Sequence, residues 1–378
     1  MFKKPSPICG LVMTGGGARG AYQAGVLKAL SEFSDHEAVP FRVITGISVG
    51  ALNASGLASR FEDFDDSARS LEGFWRSLTT NNVFDTRLTH MAFTGLRMAL
   101  SEFMPKILRN APKSLLDNRP LWTRMKESLD LEKISAAVES GDLHALSVTC
   151  SGYTNGHAVT FFESNQDGQE WHRARRDGCK TDLSLKHVMA SAALPALFPA
   201  VRIGNEYFGD GALRLTSPLA PAIHLGAERL FVIGTRDTAH YTGPERRAKP
   251  RYPSIGDLGG YALDTVFNDN LEADIERLQR INKLIDHIPK SKRKTLSVKP
   301  IEYLTIYPSR SLKAVALEHI DEMPRSLRWI ISRQRPSNSV GRLDSYLLFE
   351  QGYIGALIDL GYADTMAKKD EVTAFMCG

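Results

Sequence analysis

Three short stretches of this chain carry residue types suited to acyl chemistry. The first is Gly46-Ile47-Ser48-Val49-Gly50. A serine hydroxyl becomes a useful nucleophile once a nearby base takes its proton. The β-branched run Phe41–Thr45 leads into this stretch and the helix-forming run Ala51–Phe61 leads out of it. That is the setting of a nucleophile elbow, where a sharp strand-to-helix turn exposes the hydroxyl. Gly46 and Gly50 remove side chains where strand and helix must approach, and Ser48 would stand at a helix N-terminus that favours developing negative charge. The same five residues also read as a Gly-rich turn with a capping serine.

The second stretch is Gly15-Gly16-Gly17-Ala18-Arg19-Gly20, placed after the apolar run Ile8–Thr14 and before a helical pattern over Ala21–Phe33. Its spacing fits a dinucleotide-binding loop, which would make the chain a nucleotide-binding protein. Consecutive glycines can equally aim backbone N–H groups into one small space and hold a tetrahedral oxyanion, with Arg19 adding positive charge. A tight turn with no ligand is the third reading. The next strand–helix turn carries the GxSxG pattern, and no acid follows Phe41–Thr45 where a ribose would bind, which favours the oxyanion hole. The third stretch is Asp210-Gly211-Ala212 after Glu206–Phe208, a short strand that could deliver the carboxylate to the carboxyl edge of a sheet.

In this order, GGGARG, GISVG and DGA resemble the motifs of the patatin-like phospholipase family, related to the cytosolic phospholipase A2-like enzymes. Ala190–Val201 (ASAALPALFPAV) resembles the segment before the Asp turn in that family, so the likeness runs over about Ile8 to Gly234. The resemblance implies a catalytic pair of Ser48 and Asp210. It implies an oxyanion hole from Gly15, Gly16, Gly17 and Ala18, with Arg19 and Gly20 in the same loop. Gly46, Gly50, Gly211 and Ala212 then serve as motif support. It also implies hydrolysis of a phospholipid or lysophospholipid ester through an acyl-serine, with no metal and no cofactor. One departure is Thr216, ahead of Ser217-Pro218, where many members carry Asn. The rival is a Ser–Asp–His esterase, because His224, His240, His287 and His319 all follow Asp210. None of them lies in a motif, and Ser48 follows only two strands where an α/β-hydrolase has several.

The elements that must position these residues alternate strand and helix, the pattern of a mainly parallel sheet. Strands are predicted at Ile8–Thr14, Phe41–Thr45, His144–Tyr153, Ala158–Phe162, Glu206–Phe208, Arg229–Gly234 and Ile301–Tyr307, with a hairpin through Asn155-Gly156. Helices are predicted at Leu185–Ala193, Pro218–Leu225 and, as one long element, Ala262–Ile285, with Phe267, Leu271, Leu278 and Ile285 on one face. The expected fold is α/β, a three-layer sandwich. A catalytic domain would span residues 8–235, and a mostly helical C-terminal extension, 236–378, would pack on it.

Hydrophobic residues are 43% and charged residues 24% of 378, a globular balance. A net charge of +4 is too weak to argue for nucleic acid. Cys9, Cys150, Cys179 and Cys377 have no metal-ligand spacing and read as reduced thiols. No apolar h-region and no bilayer-length apolar run is visible. The expectation is a cytoplasmic protein that meets membranes peripherally; nothing indicates its oligomeric state. Met91–Met104 aligns Phe93, Leu96, Leu100 and Phe103 on one helical stripe, followed by Lys106, Arg109 and Lys113. It reads as a core helix or as an interfacial lid, with basic loops at Arg246–Arg251 and Lys290–Lys294 adding attraction to anionic headgroups.

Overall fold

The computed structural model describes residues 7–33, 37–85, 114–165, 170–236, 255–293, 295–332 and 343–377. The stripe at Met91–Met104, the basic residues Lys106, Arg109 and Lys113, the loop Arg246–Arg251 and His240 lie outside the described residues.

The described residues form one ten-stranded sheet. Its centre is parallel: β10 (Glu302–Ile306), β9 (Arg229–Ile233), β1 (Cys9–Met13), β2 (Val43–Ile47) and β3 (Ala145–Gly152), in that spatial order. β2 and β9 are buried along their whole length and β1 along all but its first residue, as expected for parallel strands covered on both faces. Alternate side chains feed two cores. Leu11, Met13, Ile44, Phe231 and Ile233 pack with the helices Ala21–Phe33, Val49–Ala58 and Gln351–Ala367. Val12, Val43, Leu230 and Val232 pack with Leu271, Ile275 and Leu278 of the Asn270–Asp286 helix. The result is the expected α/β sandwich: helices, sheet, helices.

Beyond β3 the sheet is mixed. β4 (Ala158–Ser164) returns antiparallel along β3 through the Asn155-Gly156 hairpin, where Gly152 N–H donates to the His157 carbonyl (2.9 Å). β6 (Arg176–Lys180), which pairs parallel with β4, and β5 (Trp171–Arg173) extend that side. β7 (Val201–Ile203) pairs with β8 (Glu206–Asp210), which is antiparallel to β3. None of β5, β6 and β7 is apparent from sequence pattern. They are three to five residues long, interrupted by charge and mostly half-buried or exposed, so they lack the apolar alternation that marks a strand.

Two predicted boundaries need correction. β2 does not stop at Thr45 but runs through Gly46 to Ile47, because both residues pair with β3. The long helix predicted over Ala262–Ile285 begins at Ile255 and is interrupted by a π turn at Thr265–Asp269. The wider turn changes the helix's facing. Phe267 enters the core shared with the Gly-rich loop, while Leu271, Ile275 and Leu278 face the opposite core.

A buried polar network joins the helices that flank the Gly-rich loop. Gln23 Nε2 donates to the Thr14 carbonyl (2.8 Å), just before the loop, and Asn53 Nδ2 donates to the Gly20 carbonyl (3.0 Å), at its end. Asn53 also donates to Gln23 Oε1 (2.8 Å) and accepts from Trp75 Nε1 (2.8 Å). Asn53, Gln23 and Trp75 are essentially inaccessible to solvent, so each group depends on the others for satisfaction. Asn53→Ala leaves the Trp75 and Gln23 groups stranded and should cost about 2–4 kcal/mol of stability. Urea unfolding measures it; a loss below about 1 kcal/mol would mean that water replaces the amide.

Candidate active site

β3 brings Ser48 and Asp210 together. One edge of β3 is occupied by β4 from Ala145 to Ser151. The other edge is shared by two strands that run toward each other. β2 takes its first part, ending with Ile47 opposite Thr149. Antiparallel β8 takes the rest, ending with Asp210 opposite Cys150. The residue after Ile47 and the last residue of β8 therefore meet end to end. β8 extends two residues past the predicted Phe208, so Asp210 both closes the strand and caps the 3₁₀ turn Gly211–Leu213.

Ser48 sits at φ 57°, ψ −127°, one of three non-glycine residues with positive φ among those described. Such a backbone costs about 1–3 kcal/mol and persists only where neighbours enforce it. The enforcement is visible. A Cβ on Gly50 would overlap the Met13 carbonyl, and one on Gly46 would overlap Gly50's own carbonyl, so only glycines admit this turn. Ser48 N–H donates to Ser191 Oγ (2.9 Å), which in turn donates to the Thr149 carbonyl (2.6 Å). Ser48 Oγ, so aimed, donates to Asp210 Oδ2 at 2.5 Å. Ser191 has no signal of its own in the sequence beyond lying in the Ala190–Val201 stretch.

Asp210 is wholly inaccessible to solvent and Ser48 nearly so, at 3% exposure. Burial pushes the Asp210 carboxyl up to about 7, against the lowering effect of its hydrogen bonds from Ser48 and from Ala212 N–H (3.0 Å to Oδ1). Gly211 fits because a Cβ there would overlap the Thr149 carbonyl. The pair is thus a hydroxyl bonded to a buried carboxyl group whose hold on a proton is raised by desolvation.

The Gly-rich loop faces this pair. A Cβ on Gly15 would lie 3.0 Å from Ser48 Cβ. Gly17–Gly20 forms a short 3₁₀ turn whose first closing bond is Arg19 N–H to the Gly16 carbonyl (3.1 Å). The N–H groups of Gly16, Gly17 and Ala18 precede that bond and are the orphan donors of a helix start. Thr235 Oγ1 holds the Gly15 carbonyl (2.7 Å). Arg19 departs from expectation. Its guanidinium is 3.1 and 2.7 Å from Ser345 Oγ, 3.1 Å from the Tyr346 hydroxyl and 3.4 Å from Asp264 Oδ1. It is 2% exposed and its carbon sits 3.9 Å over the Tyr346 ring. Its side chain is committed to the C-terminal third rather than to an oxyanion, because a buried guanidinium must satisfy its fork of donors where acceptors exist.

No histidine shares a described hydrogen bond with Ser48 or Asp210. His224 stacks on Trp171 (4.8 Å), His287 Nδ1 lies 2.7 Å from the Lys283 carbonyl, and His319 pairs with Glu322 (2.7 Å). Thr216, the departure from the resembling motif, offers its carbonyl to Arg277 (3.4 Å). Among the described residues no group of three or more His, Cys, Asp or Glu side chains is gathered to hold a metal.

Residues 11–223 match the family described as Patatin-like phospholipase. A 99-residue stretch is 36% identical to the patatin-like phospholipase domain-containing protein ZK370.4 of Caenorhabditis elegans, covering 24% of this chain and 7% of that protein. Two solved structures are similar along nearly the whole chain. VipD from Legionella pneumophila is 16% identical with a TM-score of 0.37, over 97% of this chain and 67% of that one. Human GIVD cytosolic phospholipase A2, in complex with methyl gamma-linolenyl fluorophosphonate, is 13% identical with a TM-score of 0.41, over 98% and 58%.

The raised Asp210 pKa has a sign that stability can read. The folded state holds this proton more tightly than the unfolded chain, whose carboxyl has the ordinary value of 3.8. The penalty for burying the carboxylate is absent below about pH 4, grows as pH rises toward about 7, and is constant above it. Asp210→Asn should therefore unfold at higher denaturant than the parent at pH 8, by on the order of a few kcal/mol. The difference should shrink toward pH 4. A variant less stable than the parent at pH 8 would show that the carboxylate is well accommodated.

Proposed function

The chain belongs to the patatin-like phospholipase family, and from that premise we propose that it is a serine lipid acyl hydrolase in which Ser48 is the nucleophile and Asp210 its base. The observation that carries this reading is the 2.5 Å hydrogen bond from Ser48 Oγ to a fully buried Asp210 carboxylate, on a strained strand-to-helix turn. The substrate is a phospholipid or lysophospholipid ester.

The chemistry runs through one proton on Asp210. Asp210 Oδ2 takes the Ser48 proton as Oγ attacks the ester carbonyl, and the carbonyl oxygen becomes an oxyanion. The N–H groups of Gly16, Gly17 and Ala18, in the loop whose Gly15 lies against Ser48, would stabilise it, helped by the N-terminal end of the Val49–Ala58 helix. Collapse breaks the ester C–O bond; the leaving alkoxide collects the proton from Asp210 and departs as the lysolipid or glycerol-phosphate alcohol. Water then attacks the acyl-Ser48 carbonyl, giving its proton to Asp210. The second collapse returns that proton to Ser48 Oγ and frees the fatty acid.

Apolar exposure at the same end supports a lipid partner. Leu213 stands three residues beyond Asp210 and is exposed, as are Tyr153 and Tyr207. The Tyr153 ring packs where a Gly209 Cβ would go, and Tyr153 N–H donates to the Tyr207 carbonyl (3.0 Å). No described helix is long and apolar enough to cross a membrane; contact through this rim would be peripheral.

Ser48→Ala should lose fluorophosphonate labelling and ester hydrolysis while keeping its circular dichroism and melting curve. Labelling that survives at another serine would refute the assignment. Incubation with a mixed lipid extract, read by mass spectrometry, then identifies the ester consumed and the fatty acid released. With Asp210 as the base, kcat/KM should rise through about pH 7, falling about tenfold per pH unit below it. A flat profile between pH 5 and 8 on a water-soluble ester would contradict that role.

A further inference from the structure

We propose that Tyr346 is a positioning residue for the Gly15–Gly20 loop, acting through Arg19 and Gly17. The inference rests on the hydrolase reading of that loop. The residues involved, Asp264, Phe267, Ser345 and Tyr346, all lie beyond the 11–223 stretch that matches the family.

Three separate contacts reach alternate residues of the loop from this one side. At Arg19, the Tyr346 hydroxyl accepts from Nη1 (3.1 Å) and donates to Asp264 Oδ1 (2.7 Å), while the ring lies under the guanidinium at 3.9 Å. Ser345 Oγ takes Nε and Nη2 together. At Gly17, the backbone has φ +56° and a Cβ would overlap the Tyr346 carbonyl, so loop and Tyr346 backbone touch directly. At Gly15, the Phe267 ring fills the space a Cβ would take, and the same ring stacks on Tyr346 with centroids 5.6 Å apart. Tyr346 is therefore linked to residues 15, 17 and 19, and it is completely buried.

The chemistry of an oxyanion hole makes this matter. Its donors stabilise the transition state only if their positions are fixed beforehand. A run of three glycines has the greatest backbone freedom of any sequence and cannot fix itself. Thr235 holds the Gly15 carbonyl from one side and Asn53 the Gly20 carbonyl at the end. The middle of the loop is held by Arg19 and the Tyr346 backbone. Asp264 also neutralises the guanidinium (3.4 Å), so a cation can be buried here without being left unpaired.

Tyr346→Phe keeps the ring, the stack and the backbone contact, and removes only the hydroxyl that joins Arg19 to Asp264. Its kcat on a water-soluble ester, and its rate of fluorophosphonate labelling, should both fall about tenfold, with KM within twofold and the melting temperature within a few degrees. Amide exchange of the peptide spanning Gly15–Gly20 should be faster than in the parent. Adding Ser345→Ala should deepen the kcat loss toward about a hundredfold. Tyr362→Phe, which removes a surface bond to Glu32 (2.6 Å), is the control and should change nothing. An active parent whose Tyr346→Phe variant keeps kcat, labelling rate and loop exchange overturns the positioning role alone. A parent that neither labels nor hydrolyses any ester overturns the hydrolase reading and this inference with it, while loop exchange still reports whether Tyr346 orders the loop.

Discussion

One edge of a single strand organises this molecule. β3 receives parallel β2 and antiparallel β8 on the same side, and the two meet at Thr149-Cys150. Strands arriving head-on leave no room for a connection between them. The β2 chain must turn away sharply, which it does at Ser48, and β8 must end, which it does at Asp210. The 2.5 Å hydrogen bond between these residues is the direct product of that collision. Gly46 and Gly50 admit the turn, Ser191 fastens its N–H, and the Val49–Ala58 helix carries the chain off. A parallel sheet alone would bring ligands to its carboxyl edge; the antiparallel strand is what brings a carboxylate there from the opposite direction.

The same placement settles the electrostatics. An exposed aspartate, with a pKa near 3.9, is a poor base for a serine hydroxyl. Seated at the end of a covered strand, Asp210 has no solvent access, and desolvation alone raises it to about 7. In the proposed chemistry burial supplies the basicity that an imidazole supplies in triad hydrolases. The cost is borne by the fold, which carries a destabilised carboxylate and a strained serine at its centre.

Much of this was legible in the sequence because the information is local. A β-branched run ending in Gly-x-Ser-x-Gly, a run of three glycines after an apolar strand, and an Asp-Gly after a short strand each declare a turn. The central strands showed as continuous apolar runs because both of their faces are covered. What stayed hidden is non-local. Ser48 and Asp210 are separated by 162 positions and were joined only by resemblance to a family, not by any spacing. The partners of Arg19 lie about 326 residues away in Asp344-Ser345-Tyr346-Leu347, which has no motif to announce it. Local reasoning therefore sent that guanidinium toward the oxyanion. The π turn at Thr265–Asp269 was hidden for another reason. Phe267, Leu271, Leu278 and Ile285 fall on one stripe in an unbroken helix, and only two separate cores on either side of the sheet require the helix to change its facing.

The distance in sequence between the loop and its outer supports bears on how the protein is made. Ser345 and Tyr346 follow Arg19 by roughly 326 residues, on the order of tens of seconds at ordinary translation rates. The same delay applies to β10, the edge strand beside β9, and to the Gln351–Ala367 helix that packs on Ala21–Phe33. Until then the glycine loop lacks one wall, because its contacts with Ser345 and Tyr346 cannot form. Both Ser48 and Asp210 precede these supports in the chain, so the frame around the loop is the later part to be completed.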